Sequence, residues 1–165
     1  MKKMALPLAV AFFLAAMGAT LSAENFQYPA GGVTIWLPDD WEIDNDEEEG
    51  AIYADTPEGD AYCVLQIVHD IHDLDAALKI FADILSEEMD DFTVTQKARS
   101  DTLNGMEILR ISGNGRRDEE TWSVDVLLIA AKKAVLMCAM GWEKDPNGKF
   151  ASLREKIFPS IKALN

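Results

Sequence analysis

The amino-acid sequence predicts an α+β domain in which two main helices pack on a mainly antiparallel sheet of about six to eight strands. Most of the chain alternates apolar and polar residues with the two-residue period of strands, and a helical period replaces it in two segments. Strands and helices are therefore grouped along the chain, which is typical of α+β domains. The 165 residues, 48% of them hydrophobic, suit one domain with its own core.

The first 23 residues have the three-part pattern of a secretory signal peptide. Lys2-Lys3 gives a positive start, Met4 to Leu21 carries no charge, and a small residue, Ala23, precedes the expected cleavage point. The alternative is an uncleaved membrane anchor, since this uncharged segment approaches the roughly 20 residues that span a bilayer. The small residues near its end favour cleavage. We therefore expect a periplasmic or secreted domain of residues 24–165 without stable membrane insertion.

The chain is strongly acidic, with 29 Asp and Glu residues against 15 Lys and Arg residues and a net charge of −14. Loss of Lys2 and Lys3 with the signal segment brings the net charge to about −16. A field of this sign repels nucleic acid and anionic lipid. We therefore expect no nucleic-acid partner, and we expect any charged partner to be cationic.

Four strands are predicted before the first helix. Val33, Ile35 and Leu37 alternate along the first strand, and Pro38-Asp39-Asp40 has the composition of a turn. An acidic loop, residues 44–50, follows the second strand. The fourth strand is almost continuously apolar, which predicts a central position in the sheet. The four strands are expected at residues 33–37, 41–43, 51–54 and 62–68.

A helix is predicted at about residues 73–91, because apolar and charged residues fall on separate faces at helical spacing. Its apolar face is formed by Leu74, Leu78, Phe81, Leu85 and Phe92. Asp70 or Asp73 suits the N-cap position, since a short side-chain oxygen can accept a hydrogen bond from an unpaired backbone N–H of the first turn.

The second half of the chain predicts further strands joined by tight turns. Asn104-Gly105 tolerates the positive φ of a two-residue hairpin turn. Asn114-Gly115 is placed in a longer polar loop, residues 112–120. Two long strands, 122–130 and 134–142, are expected to form a second hairpin.

A final helix is predicted to begin at Asp145 as cap, with Pro146 at the first helical position. Pro159 is expected to kink or interrupt it. Its buried face is formed by Phe150, Leu153, Ile157, Ile161 and Leu164.

The strand and turn G-V-T-I-W-L-P-D-D-W-E-I-D, residues 32–44, the hairpin at Asn104-Gly105 and the terminal F-P-S-I-K, residues 158–162, resemble the PsbP-like superfamily. That superfamily includes small exported bacterial proteins related to DcrB. The resemblance implies a single α/β/α sandwich over residues 25–165. The matching residues shape the sheet, so the resemblance implies no catalytic or ligand-binding residue.

Cys63 and Cys138 are the two cysteines, and each lies in an apolar run that reads as an inner strand. An exported protein meets an oxidising compartment, where a disulfide forms if the two Cα atoms lie within about 7 Å. The alternative is two buried free thiols, since free cysteine is among the most buried residue types. The favoured interpretation is the free thiols.

His69, His72 and Asp73 are the candidate metal ligands. Zn²⁺ needs three or four nitrogen, sulfur or oxygen ligands, and two histidines three apart share a face only on a helical backbone. The alternative is that the aspartates of this stretch only begin the helix, and this interpretation is favoured. No resident cofactor is therefore expected, with Zn²⁺ at these residues as a second hypothesis.

Residues 42–50 hold six carboxylates and suggest Ca²⁺. Asp44, Asp46 and Glu48 have the spacing of an EF-hand loop, but Glu49 stands where the turn glycine is needed and Asp55 where the last glutamate is needed. A solvated acidic loop is the favoured interpretation, with weak cation binding as the alternative.

No nucleophile motif, phosphate-binding loop or paired His–Cys arrangement is evident in the sequence. We therefore expect an exported, non-enzymatic binding or accessory domain that meets a protein partner or a small ligand. A metal-binding protein using His69 and His72 is the second hypothesis, and a small hydrolase is the third.

Overall fold

The computed structural model describes residues 25–143, 145 and 147–164. The predicted signal segment and its cleavage point lie outside the described residues. The helices are α1 (Leu74–Glu88) and α2 (Lys149–Ser160). The strands are β1 (Phe26–Tyr28), β2 (Val33–Ile35), β3 (Glu42–Asp46), β4 (Ala51–Asp55), β5 (Ala61–Val68), β6 (Asp90–Leu103), β7 (Met106–Arg117), β8 (Glu120–Ala130), β9 (Val135–Glu143) and β10 (Lys162–Ala163).

The main sheet is antiparallel and has seven strands in the order β3-β4-β5-β9-β8-β7-β6. A small antiparallel sheet has the order β1-β2-β10. The predicted α+β class and the predicted number of strands in the sheet are thus confirmed. The apolar strand β5 pairs with β4 and β9 well inside the sheet, as its composition indicated.

The main sheet separates two hydrophobic cores. Along β8, Val126 and Leu128 lie in the core beneath α1, while Leu127 and Ile129 lie in the core beneath α2 and the small sheet. This alternation follows from the two-residue period of a strand. Both faces of β8 and β9 are therefore buried, and each helix covers one face of the sheet.

Helix α1 begins where the sequence indicates. Asp73 is the N-cap, and its Oδ1 accepts a hydrogen bond from the Ala76 backbone N–H at 2.8 Å. A cap of this kind is worth about 1 kcal/mol. The helix ends at Glu88, so Phe92, expected on its apolar face, lies instead in β6.

The predicted polar loop at residues 112–120 is wrong, because β7 continues through Gly113 and Gly115 to Arg117. A Cβ at Gly113 would lie 2.3 Å from the Phe92 ring, and one at Gly115 would lie 3.0 Å from Met89. These glycines let the end of α1 and the start of β6 lie directly on β7. Asn114-Gly115 therefore marks close packing against a strand and not a turn.

The predicted loop at residues 44–50 is partly wrong, since β3 extends to Asp46 and only a short turn remains. Asp46 Oδ1 accepts hydrogen bonds from the backbone N–H groups of Glu48 and Glu49, both at 2.9 Å. The carboxylate of Asp46 therefore closes the turn. The short strands β1 and β10 were not predicted from the sequence.

Helix α2 begins later than predicted, at Lys149 after Gly148. The Asp145 Oδ2 still accepts a hydrogen bond from the Ala151 N–H at 3.0 Å, so its carboxylate serves the first turn from outside the helix. Pro146 lies outside the described residues. Pro159 lies inside the last turn and the helix ends one residue later, at Ser160, so Ile161 and Leu164, expected on its buried face, lie beyond it.

The predicted turn at Asn104-Gly105 is confirmed, with φ values of 49° and 83°. The Asn104 side chain also donates hydrogen bonds to the backbone oxygens of Pro159, at 3.0 Å, and Ile161, at 2.7 Å. This turn therefore ties the end of α2 to the edge of the main sheet.

The two cysteines are free thiols in the core beneath α2, with their Sγ atoms 3.9 Å apart on β5 and β9. The hydrogen bond to Cys63, together with burial, raises the pKa of the Cys138 thiol well above its usual range. A thiol held protonated in this way is a poor nucleophile.

Within the described residues, neither helix has the length and apolar character needed to cross a bilayer.

Candidate functional site

The predicted metal ligands lie at the corner between β5 and α1. His69 and His72 are both exposed, and His69 Nε2 lies 3.4 Å from the Glu49 backbone oxygen. The Asp73 carboxylate is occupied by its cap hydrogen bond. Among the described residues, no group of three or more His, Cys, Asp or Glu side chains is arranged to hold a metal ion. Metal binding at these residues stays a prediction.

A first cluster of charged side chains lies on the α2 face of the sheet. We call Arg110, Asp125, Arg154 and Glu155 the arginine cluster. Asp125, on β8, is only 2% exposed. Its Oδ2 accepts hydrogen bonds from Arg154 on α2 and, at 3.4 Å, from Arg110 on β7. Both guanidinium groups also pair with Glu155 on α2.

The charges of the arginine cluster neutralise one another. Burial alone would lower the pKa of Arg154, but its bonds to Asp125 and Glu155 outweigh burial and raise this pKa above its usual value. Arg110 also lies 5.8 Å from the centre of the Phe158 ring, a cation–π contact. A cleft of about 220 Å³ adjoins these residues. We interpret the cluster as the polar attachment of α2 to the sheet.

A larger cleft, of about 370 Å³, opens at the end of the main sheet where the β4–β5 turn meets the β7–β8 hairpin. Sites for small ligands usually exceed about 300 Å³. We call it the Tyr–Trp cleft. It is lined by Asp55, Gly59, Tyr62, Arg117, Asp118, Glu120, Trp122 and Glu143.

Two aromatic rings form the wall of the Tyr–Trp cleft. The ring centres of Tyr62 and Trp122 are 5.8 Å apart and the ring planes are inclined by 34°. Gly141 on β9 lies opposite Tyr62, and a Cβ there would come within 2.4 Å of the Tyr62 ring. The glycine therefore lets Tyr62, on β5, lean over β9 towards Trp122 on β8. Both rings remain partly exposed.

Burial and charge both act on the ionisable groups of the Tyr–Trp cleft. Burial raises the pKa of Tyr62 to about 12; Arg117 opposes this rise, whereas Glu88 and Asp55 add to it. Burial, and then the charge of Glu42, raises the pKa of Asp55, and Arg117 partly offsets the rise. A positive group that approaches such a carboxylate stabilises its charged form.

A strained hairpin turn borders the same cleft. Asp118 and Glu119 have φ values of 51° and 70°, in the left-handed region that glycine and asparagine prefer in two-residue turns. The turn is closed by the pairing of Arg117 with Glu120. The tight turn brings Arg117, Asp118 and Glu120 into the lining of the cleft.

The sequence did not predict this cleft. Tyr62 and Trp122 fall within predicted strands, and none of the predicted ligands, His69, His72 and Asp73, lines the cleft. The available signal was Gly141, a glycine inside an otherwise apolar strand, which often marks a close approach of another group. The sequence does not show which ring approaches.

Comparison with known proteins shows the fold and no more. No protein-family model matches the chain, and no curated protein matches it. A crystal structure from Bacteroides thetaiotaomicron superposes with a TM-score of 0.57 at 10% identity over 87% of this chain; this chain spans half the length of that protein, 50%. LpqN of Mycobacterium tuberculosis, described as involved in cell envelope biogenesis, superposes with a TM-score of 0.52 at 15% identity over 81% of this chain and 83% of LpqN. The fold is thus a known one, shared with an envelope-associated protein.

Proposed function

We propose that this protein is an exported binding or accessory domain of the cell envelope that holds a protein partner or a small ligand in the Tyr–Trp cleft and catalyses no reaction. The observation that carries the proposal is the lining of this cleft: two partly exposed rings among charged side chains. Aromatic rings are enriched where proteins bind partners, because a large apolar face is combined with a polar group.

The location in the envelope is supported by two further observations. The first 23 residues have the pattern of a signal peptide. The fold is shared with LpqN, a protein described as involved in cell envelope biogenesis. We further infer a place among PsbP-like proteins related to DcrB, because α1, the main sheet and α2 form the three layers that this resemblance implies.

Cell fractionation and NMR together test the proposal. We expect the protein in the exported fraction, shortened near Ala23. ¹⁵N–¹H spectra of that form should change on addition of envelope extract, at residues 55–62 and 117–122 and not along α2. A cytoplasmic location would contradict the proposed compartment. Turnover of an ester, peptide or glycoside substrate that is lost in Asp55→Asn would contradict the proposed absence of catalysis.

A further inference from the structure

We propose that the Tyr–Trp cleft binds an organic cation, the ammonium or guanidinium group of a lysine or arginine side chain in a partner protein or of a free amine. This inference rests on the proposed function and names the chemistry of the ligand. Its basis is the combination of two tilted rings, a surrounding excess of carboxylates and the charge of the whole chain.

The two rings suit a cation by their spacing. A positive group is attracted to the face of a tyrosine or tryptophan ring when it lies within about 6 Å of the ring centre. The centres of Tyr62 and Trp122 are 5.8 Å apart, so one ammonium group placed beside the pair can lie within this range of both. Because Gly141 carries no side chain, the Tyr62 ring lies directly over β9, which brings it beside Trp122.

The charges around the rings favour the same ligand. Within the described residues, the lining has four carboxylates and one guanidinium group. Asp55 stands opposite Tyr62 in the strand register, close to the ring wall. Burial and the neighbouring Glu42 make its negative charge unfavourable, and a bound cation relieves this cost.

The whole chain adds a long-range contribution. Its net charge of −14 attracts cations towards any cleft and repels anions. The arginine cluster, in contrast, already pairs its positive groups with Asp125 and Glu155. At the Tyr–Trp cleft, both the side chains of the lining and the net charge of the chain therefore favour a cationic ligand.

The test compares three small probes of similar shape by calorimetry and by the Trp122 indole ¹⁵N–¹H signal. N-acetyl-lysine amide and N-acetyl-arginine amide carry the charge, and N-acetyl-norleucine amide does not. We expect both cations to bind at least about tenfold more tightly than the norleucine compound. We also expect Asp55→Asn and Trp122→Leu each to weaken cation binding about tenfold.

Two control variants separate the cleft from the general field. Asp83→Asn changes the net charge by the same amount as Asp55→Asn but lies exposed on α1. Trp36→Phe alters a tryptophan that packs against the core beneath α2. Neither should change cation affinity. Equal losses in Asp83→Asn and Asp55→Asn would show attraction by net charge alone and overturn the inference.

A lysine peptide distinguishes the two sources of the cation. If the affinity for tetralysine is more than four times the affinity for a single lysine amide, the cleft is suited to a basic protein segment. If the affinity per lysine side chain is the same for both, the ligand is a free amine. Binding of the norleucine compound or of a neutral sugar as tight as that of the cations would overturn the inference. If envelope extract changes the cleft signals and no cationic probe does, the inference fails and the proposed function stands.

Discussion

The arginine cluster and the Tyr–Trp cleft both place charged side chains beside aromatic rings, yet the two regions differ in how those charges are satisfied. In the arginine cluster, Asp125 is 2% exposed and accepts hydrogen bonds from Arg110 and Arg154. In the Tyr–Trp cleft, Asp55 lies at the rim, where partial burial and then the charge of Glu42 raise its pKa, and Arg117 only partly offsets the rise.

This difference separates stability from recognition. Charges that neutralise one another across two elements stabilise the contact between those elements, and removing one partner leaves the other uncompensated. The charge of Asp55, in contrast, is unfavourable in the isolated protein, and a bound ligand of opposite charge would stabilise it. We therefore expect substitutions in the arginine cluster to change folding stability, and substitutions in the Tyr–Trp cleft to change binding.

The largest effect is expected for Asp125→Ala. The substitution leaves Arg110 and Arg154 without their buried partner, so we expect a loss of about 3 kcal/mol in the free energy of unfolding. This value is the lower end of the range for breaking a buried ion pair, because both guanidinium groups are partly exposed. Urea unfolding followed by circular dichroism measures it. The matched control Asp83→Ala should lose less than about 0.5 kcal/mol, and equal losses would refute the structural role of the cluster.

The next effect concerns the turn that ties β6 and β7 to α2. Asn104→Gly keeps the positive φ but removes two hydrogen bonds to the end of α2, so we expect a loss of about 2 kcal/mol. Unfolding in urea and hydrogen exchange at residues 157–163 would measure it. A stability equal to that of the unchanged protein would mean that these hydrogen bonds do not hold α2 in solution.

A smaller loss is expected for Gly141→Ala, of about 1–2 kcal/mol, because the new Cβ would lie 2.4 Å from the Tyr62 ring. The displaced ring should also weaken cation binding. In a double-mutant cycle, Tyr62→Ala should cancel most of the stability cost of Gly141→Ala. Additive losses would contradict the direct contact between the two residues.

The smallest stability effect is expected for Asp55→Asn, and its sign is a gain. The pKa of Asp55 is higher in the folded protein than its ordinary value of 3.8, because folding disfavours the charged form. The contribution of this side chain to the free energy of unfolding is therefore fully present below pH 3.8 and is lost as the pH rises through the folded pKa. The amide avoids this loss, and we expect a gain of no more than about 0.5 kcal/mol at pH 7. The gain should vanish below pH 3.8. A loss of stability at pH 7 would contradict the unfavourable environment assigned to this carboxylate.

The fold could be predicted from the sequence much better than the cleft. Periodicity located α1 and β5, and the capping role of Asp73 followed from local chemistry. The loop expected at residues 112–120 was wrong because Asn114-Gly115 has the composition of a turn, while the reason for the glycine is contact with Met89 from a distant part of the chain.

The cleft depends on long-range register. Tyr62 faces Gly141 across β5 and β9, and Trp122 approaches from β8. Local propensity carries no information on which strands are neighbours or how they are aligned. The same limit applies to the arginine cluster, where Asp125 is a lone acid in an apolar strand whose partners lie on other elements.

The most direct test of cation binding in the Tyr–Trp cleft is an NMR measurement of intermolecular NOEs between N-acetyl-lysine amide and the protein. We expect NOEs from the ε-methylene protons of the probe to the ring protons of both Tyr62 and Trp122. They should disappear in Trp122→Leu and persist in Asp83→Asn. NOEs to another surface, or binding without any NOE to these two rings, would contradict it.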